Sequence, residues 1–221
     1  MIKGIIFDLD GTLIDTLKTI AKAANFALWK NKLPLYQNEQ FLDMIGKGKN
    51  VLVQKMLEPY NPDENLIKQV TKDFDTFFLA HPIEASELYP GIYVTIEALR
   101  DQGIKTAVLS NKDDNITQLV VKHFFADHFQ YIKGRLDKVA AKPDRMMMIN
   151  AMAAMKLLPM ETLMVGDMAV DIEFARNSNV SSCAVTWGFG RRKDLTKAKP
   201  DFIIDKPVSL LGLLLEQNHA R

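Results

Sequence analysis

Phe7-Asp8-Leu9-Asp10-Gly11-Thr12-Leu13-Ile14 closes an apolar run that begins at Ile2. The run reads as a buried strand, and side chains alternate along a strand, so Asp8 and Asp10 share one face at its C-terminal end. Open α/β sheets bind their ligands outside the carboxyl ends of the strands. Gly11 then lets the chain turn sharply without steric cost. Two acids in one small site repel each other unless a cation lies between them or one keeps a proton. That arrangement serves metal-assisted and acid–base chemistry. By itself, Asp-x-Asp-Gly is equally a plain turn after a strand. A calcium loop would continue with further acidic or amide ligands and a late Glu, and Leu13 and Ile14 stand there instead.

Three later segments add weight. Thr106-Ala107-Val108-Leu109-Ser110-Asn111 is a second apolar strand, ending in a hydroxyl and an amide. Both can donate to a phosphoryl oxygen without adding charge, although Ser-Asn after a strand is also ordinary turn and cap chemistry. Ala141-Lys142-Pro143-Asp144 precedes a long helical pattern. Proline suits a helix's first turn, which puts Lys142 at the helix mouth, able to reach inward. Leu163-Met164-Val165-Gly166-Asp167 is another short strand, with Asp171 four residues on, about one helical turn from Asp167. Two acids, a hydroxyl, a lysine and two more acids thus fall at four expected strand ends.

Composition excludes several classes. Of the 221 residues 48% are hydrophobic and 25% charged, which suits a globular protein, and a net charge of +1 leaves no footprint for nucleic acid. No apolar run approaches the roughly 20 residues of a membrane span. Met1-Ile2-Lys3 runs straight into the first strand with no signal peptide, and Cys183 is the single cysteine, so the expected setting is the reducing cytoplasm. Ser182-Cys183-Ala184-Val185 reads as a core strand with an inert thiol. His81, His123, His128 and His219 lack the close pairing of a zinc helix. Met146, Met147, Met148, Met152 and Met155 read as helical core filler.

The strand–helix rhythm breaks after the first strand. From about Asp15 to His81 the apolar residues recur at helical spacing: Leu17, Ile20, Ala24 and Leu28, then Phe41 and Ile45, Val51, Leu52 and Met56, and Val70, Phe74, Phe77 and Phe78. Gly46-Lys47-Gly48-Lys49 is no phosphate loop, because Asn50 follows in place of Ser or Thr and no strand precedes it. It reads as a turn of the insertion, with Lys47 available to a substrate anion. From Leu88-Tyr89-Pro90-Gly91 onward strands and helices alternate, with strands expected near 105–110, 130–132, 162–165, 182–185 and 202–204. The predicted fold is α/β: a Rossmann-like parallel sheet core (1–14 and 86–221) with an inserted helical cap domain (15–85).

The whole set resembles the haloacid dehalogenase superfamily, whose four motifs are matched by Asp8-Leu9-Asp10-Gly11-Thr12, Ser110, Lys142 and Gly166-Asp167…Asp171. The second acid, Asp10, is the mark of its phosphatases, and the sequence looks most like the phosphoglycolate phosphatase group through Asp10–Thr16, Ile45–Gly48, Val185–Phe189 and Pro200–Asp205. It departs at Met168, where relatives carry Ser or Thr, and at Ser178-Asn179, where they place Ala-Gly. The resemblance implies a Mg2+-dependent phosphatase acting on a small phosphorylated metabolite, phosphoglycolate first, in which Asp8 is the nucleophile and forms an aspartyl-phosphate. Asp10 is then the general acid–base and Lys142 the catalytic cation. The same resemblance has Thr12 and Ser110 contacting the phosphoryl group, beside which Asn111 and Lys47 remain the substrate-contact candidates read from the strand end and the glycine turn. Its implied metal ligands are Asp8, the Asp10 backbone and Asp167, with Asp171 as ligand or orienter. A sugar-phosphate mutase of the same superfamily and a non-catalytic phosphate-binding regulator are the alternatives.

Overall fold

The computed structural model describes residues 1–136 and 140–219, with side chains described as far as Glu216. In chain order the elements are β1 (Gly4–Phe7), β2 (Ile14–Asp15), α1 (Leu17–Lys30), α2 (Lys49–Leu57), α3 (Glu64–Ala80) and β3 (Glu87–Leu88). They continue with α4 (Ile92–Asp101), β4 (Lys105–Asp113), α5 (Asp114–Phe125), β5 (Tyr131–Arg135), α6 (Met146–Met155) and β6 (Thr162–Gly166). The chain ends with α7 (Ala169–Asn177), β7 (Ser181–Val185), α8 (Arg192–Ala198), β8 (Phe202–Ile204) and α9 (Ser209–His219). It divides into two compact units, Met1–Asp15 with Leu88–Arg221, and Thr16–Glu87.

The first unit carries a six-stranded sheet in the order β5-β4-β1-β6-β7-β8, with every pair parallel. All four residues of β1 are buried, as a central strand covered on both faces requires. The chain steps from β1 to β4 and β5 on one side, then returns to lay β6, β7 and β8 on the other. β1 is therefore the strand beside which the order reverses, the place where such sheets open a crevice. Register brings Phe7 level with Val108 on β4 and Val165 on β6. The residues just past these three, Asp8, Ser110 and Asp167 among them, emerge together. Behind them Ile6, Ala107, Leu109 and Met164 pack with Met147, Met148, Met152, Met155 and Phe174. Four of the five clustered methionines are thus core, while Met146 is 48% exposed.

Local geometry differs from the sequence expectation at three points. α6 starts at Met146, so Pro143 precedes the helix, and Asp144 Oδ1 accepts the Met146 N–H at 2.8 Å. Lys142 consequently sits in an irregular segment rather than at a strand end or helix mouth. β4 runs on to Asp113 rather than stopping at the serine, with a register shift against β5 between Leu109 and Asp113. In the second unit, the segment around Phe41 is a 3-10 helix, Asn38–Asp43, rather than the α-helix that its apolar spacing suggests. Asp73, buried on α3, binds Lys30, Asn31 and Gln69 and ties α1 to α3. Gly46 and Gly48, at φ 94° and 84°, shape the turn that carries the exposed Lys47.

Candidate active site

Asp8 leaves β1 with its N–H bonded to the Val165 carbonyl at 2.9 Å, and only 7% of it is exposed. Lys142 Nζ lies 2.8 Å from Asp8 Oδ1 and 2.8 Å from Asp171 Oδ1, its side chain 1% exposed. A lysine in an irregular segment needs its backbone held. Asn111 does so: its Oδ1 accepts the Lys142 N–H at 2.8 Å and its Nδ2 donates to the Lys142 carbonyl at 3.3 Å. Asn111, expected on the phosphate, is here engaged in aiming the lysine.

Asp167 follows β6 and is fully buried. Its Oδ1 accepts the Thr12 hydroxyl at 2.8 Å and its Oδ2 the Phe189 N–H at 2.8 Å. Thr12, likewise expected on the phosphate, gives its hydroxyl proton to this carboxylate. The Trp187–Gly190 loop closes over both, with Trp187 Nε1 donating to the Thr12 carbonyl at 3.0 Å. Gly188 and Gly190 permit the approach, because a Cβ there would lie 2.1 Å from the Gly11 oxygen and 1.8 Å from the Asp167 oxygen. Asp171 spends Oδ1 on Lys142 and accepts the Met168 N–H on Oδ2 at 3.1 Å. Met168 thus serves through its backbone, which any residue there would supply. Ser110 is 2% exposed, and its Oγ accepts the Lys112 N–H at 3.2 Å.

Asp10 is handled differently. Lys112 Nζ donates to its Oδ1 at 2.8 Å and Oδ2 at 2.9 Å, with the side chains 8% and 20% exposed. Sequence reading passed over Lys112 because it ended the strand at the serine. With β4 running to Asp113, Ser110 and Lys112 stand two apart, the spacing that picked out Asp8 and Asp10. Tyr89 was missed too. Burial, then the charges of Asp15, Asp167 and Asp10, raise its phenol above the usual range.

Burial also pushes the Asp8 carboxyl up to about 7, with Lys142 pulling against it and Asp171 adding to the rise. Burial and the neighbouring Asp8 and Asp171 hold Asp167 well above the carboxylate range. For Lys142 burial alone would lower the ammonium, but Asp171 and Asp8 outweigh it and raise it. Asp8, Asp167 and Asp171 offer ligand oxygens within 4.8 Å of one another. Fully ionised, these three against one lysine leave two negative charges in excess, in an all-oxygen donor set. A hard divalent cation fits that chemistry. It is the one such cluster of His, Cys, Asp or Glu among the described residues.

Lys47 belongs to the helical unit. Cys183 is buried, and burial pushes its thiol up to about 12. Among the described residues no helix is long and apolar enough to cross a membrane.

The comparisons with known proteins agree with this geometry. Residues 5–185 match the family model for haloacid dehalogenase-like hydrolase. A phosphoglycolate phosphatase of Vibrio vulnificus (strain YJ016) is 31% identical over 220 residues, covering 97% of this chain and 96% of its own length. One from Haemophilus influenzae (strain 86-028NP) is 32% identical over 215 residues, covering 94% and 96%. The crystal structure of a predicted phosphoglycolate phosphatase from Haemophilus somnus 129pt superposes with a TM-score of 0.90 at 29% identity, over 96% of this chain and 98% of that one.

Proposed function

The chain belongs to the haloacid dehalogenase-like hydrolase family and is a phosphatase, a phosphoric monoester hydrolase, and we propose that it hydrolyses a small phosphorylated metabolite, phosphoglycolate first, through an aspartyl-phosphate on Asp8. One observation carries this: a buried lysine joins two carboxylates, with a third close by, at the end of the central strand. The relatives' names supply the substrate candidate.

Asp8 is the nucleophile: its oxygen attacks phosphorus, the bond to the leaving alcohol breaks, and one hard step becomes two easier ones. Asp10, two residues on, gives its proton to the departing oxygen and later takes one from the attacking water, which releases phosphate and restores Asp8. Lys142 balances charge building on the phosphoryl oxygens, with Ser110 beside it. Asn111 and Thr12 keep Lys142 and Asp167 aimed. Asp8, the Asp10 carbonyl and Asp167 would hold Mg2+, oriented by Asp171, and the ion would neutralise phosphoryl charge. The helical unit, expected at 15–85 from the sequence, acts as a cap that excludes water, and Lys47 is its candidate contact for a substrate anion. A cytoplasmic setting suits a chain whose single cysteine stays a buried thiol.

The test is phosphate release from a panel of phosphomonoesters that includes 2-phosphoglycolate, with Mg2+ or with EDTA. Mg2+-dependent release is expected, fastest with 2-phosphoglycolate. Release from none of the panel would sink the assignment, and faster turnover of another member would move the substrate.

A further inference from the structure

Lys112 has no place in the chemistry described so far, yet it is the residue that touches the acid–base group. It stands past Ser110 on β4, its Nζ on both oxygens of Asp10, and the pair keeps 8% and 20% of its side-chain surface open. Lys142, by contrast, is 1% exposed and committed to Asp8 and Asp171. Two lysines therefore serve two ends of one site. Lys142 faces the phosphoryl end, where Asp8 lies. Lys112 faces the end where the alcohol departs, because Asp10 must reach the ester oxygen to protonate it.

We propose that Lys112 selects for substrates whose leaving alcohol carries an anion close to the ester oxygen. Deepening the phosphatase assignment above and resting on it, this names the charge class of the substrate and the residue that reads it. The ammonium is one hydrogen-bond length from each Asp10 oxygen. A carboxylate on the carbon next to the ester oxygen can therefore meet Lys112 while the ester oxygen meets Asp10. The incoming anion takes over part of the hold that Lys112 has on Asp10, the freed Asp10 oxygen takes a proton from water, and that oxygen turns toward the leaving group. A neutral leaving group offers nothing to exchange, so Asp10 stays held by both oxygens. Hydrogen bonds to charged groups removed from water are worth roughly 10- to 100-fold in binding or rate, which sets the size of the preference.

The experiment crosses charge on the protein with charge on the substrate. It measures kcat/KM in Mg2+ for 2-phosphoglycolate and for its carboxyl methyl ester, which has nearly the same shape without the anion. The wild type should prefer the acid by roughly 10-fold or more. Lys112→Met should lose most of that preference, and Lys112→Arg should keep it. An equal rate on acid and ester in the wild type overturns the proposal even if Lys112→Met fails to fold. So does an undiminished preference in Lys112→Met. Failure of the phosphatase assignment looks different: the wild type then releases no phosphate from acid, ester or 4-nitrophenyl phosphate.

Discussion

The Asp8–Lys142–Asp171 cluster and the Asp10–Lys112 pair use the same two residue types a few ångströms apart, and they differ in burial and in charge balance. In the cluster, together with Asp167, acids outnumber the cation and water is shut out, so burial raises the carboxyls and the excess charge calls for a divalent ion. In the pair, one ammonium matches one carboxylate and both are partly wet. A dry, over-charged centre suits holding and attacking a phosphoryl group, since fixed charges act most strongly where water is excluded. A balanced pair near solvent suits a group that must exchange partners during the reaction. Identical side chains have thus been given different burial and charge balance by their surroundings.

The sharpest way to break the contrast is Asp8→Asn. It removes the proposed nucleophile and one charge of the excess, so turnover should fall by roughly 10⁴-fold or more even at high Mg2+. Removing a carboxylate that burial disfavours should leave the melting temperature of the Mg2+-free protein unchanged or higher. Phosphate release and thermal unfolding of one preparation check both, and a near-normal rate would take the nucleophile's role from Asp8.

Asp10→Asn strikes the other region and should cost less, roughly 10²–10⁴-fold, the range of a general acid–base group. The loss should shrink with aryl phosphates, whose leaving groups depart without protonation. If single-turnover measurements give equal losses of phosphorylation rate for alkyl and aryl esters, Asp10 only positions other groups.

The smallest effect is read in stability. The Asp8 carboxyl is raised from 3.8 to about 7, so between those values the native protein binds more protons than the unfolded chain. Linkage then requires this group's contribution to stability to fall as pH rises through that window. A divalent ion held by these carboxylates, as proposed, would take the place of those protons. Mg2+ should therefore raise the melting temperature by a few degrees more at pH 8 than at pH 5, as read by calorimetry. An equal rise at both values would uncouple the ion from the buried carboxyls.

Much of this molecule is legible without its structure because the signals are local. Apolar runs ending in Asp8 and Asp167 announce strand ends, and the helical spacing between Leu17 and Phe78 marks an insertion. Lys112 was hidden by a boundary error of a few residues: a strand that ends in polar side chains looks like a loop until its neighbour's register is known. Asn111 and Thr12 were assigned to the phosphate because a hydroxyl or amide at a strand end can serve a ligand or a neighbour equally well. Only the position of the Lys142 backbone and the Asp167 carboxylate tells which.

By itself, the sequence determined that Asp8 and Asp10 leave one strand together and that Asp167 ends another, since alternation along a strand and a glycine turn are properties of a few consecutive residues. Tertiary structure alone decided which cation answers which acid. Lys112 reaches Asp10 across 102 residues and Lys142 reaches Asp171 across 29. Those pairings depend on the order of parallel strands and on where the chain reverses beside β1. Burial, which raises the Asp8 carboxyl and leaves the Asp10 pair partly wet, is likewise set by what packs around each group. Neighbouring residues in the chain carry no record of it.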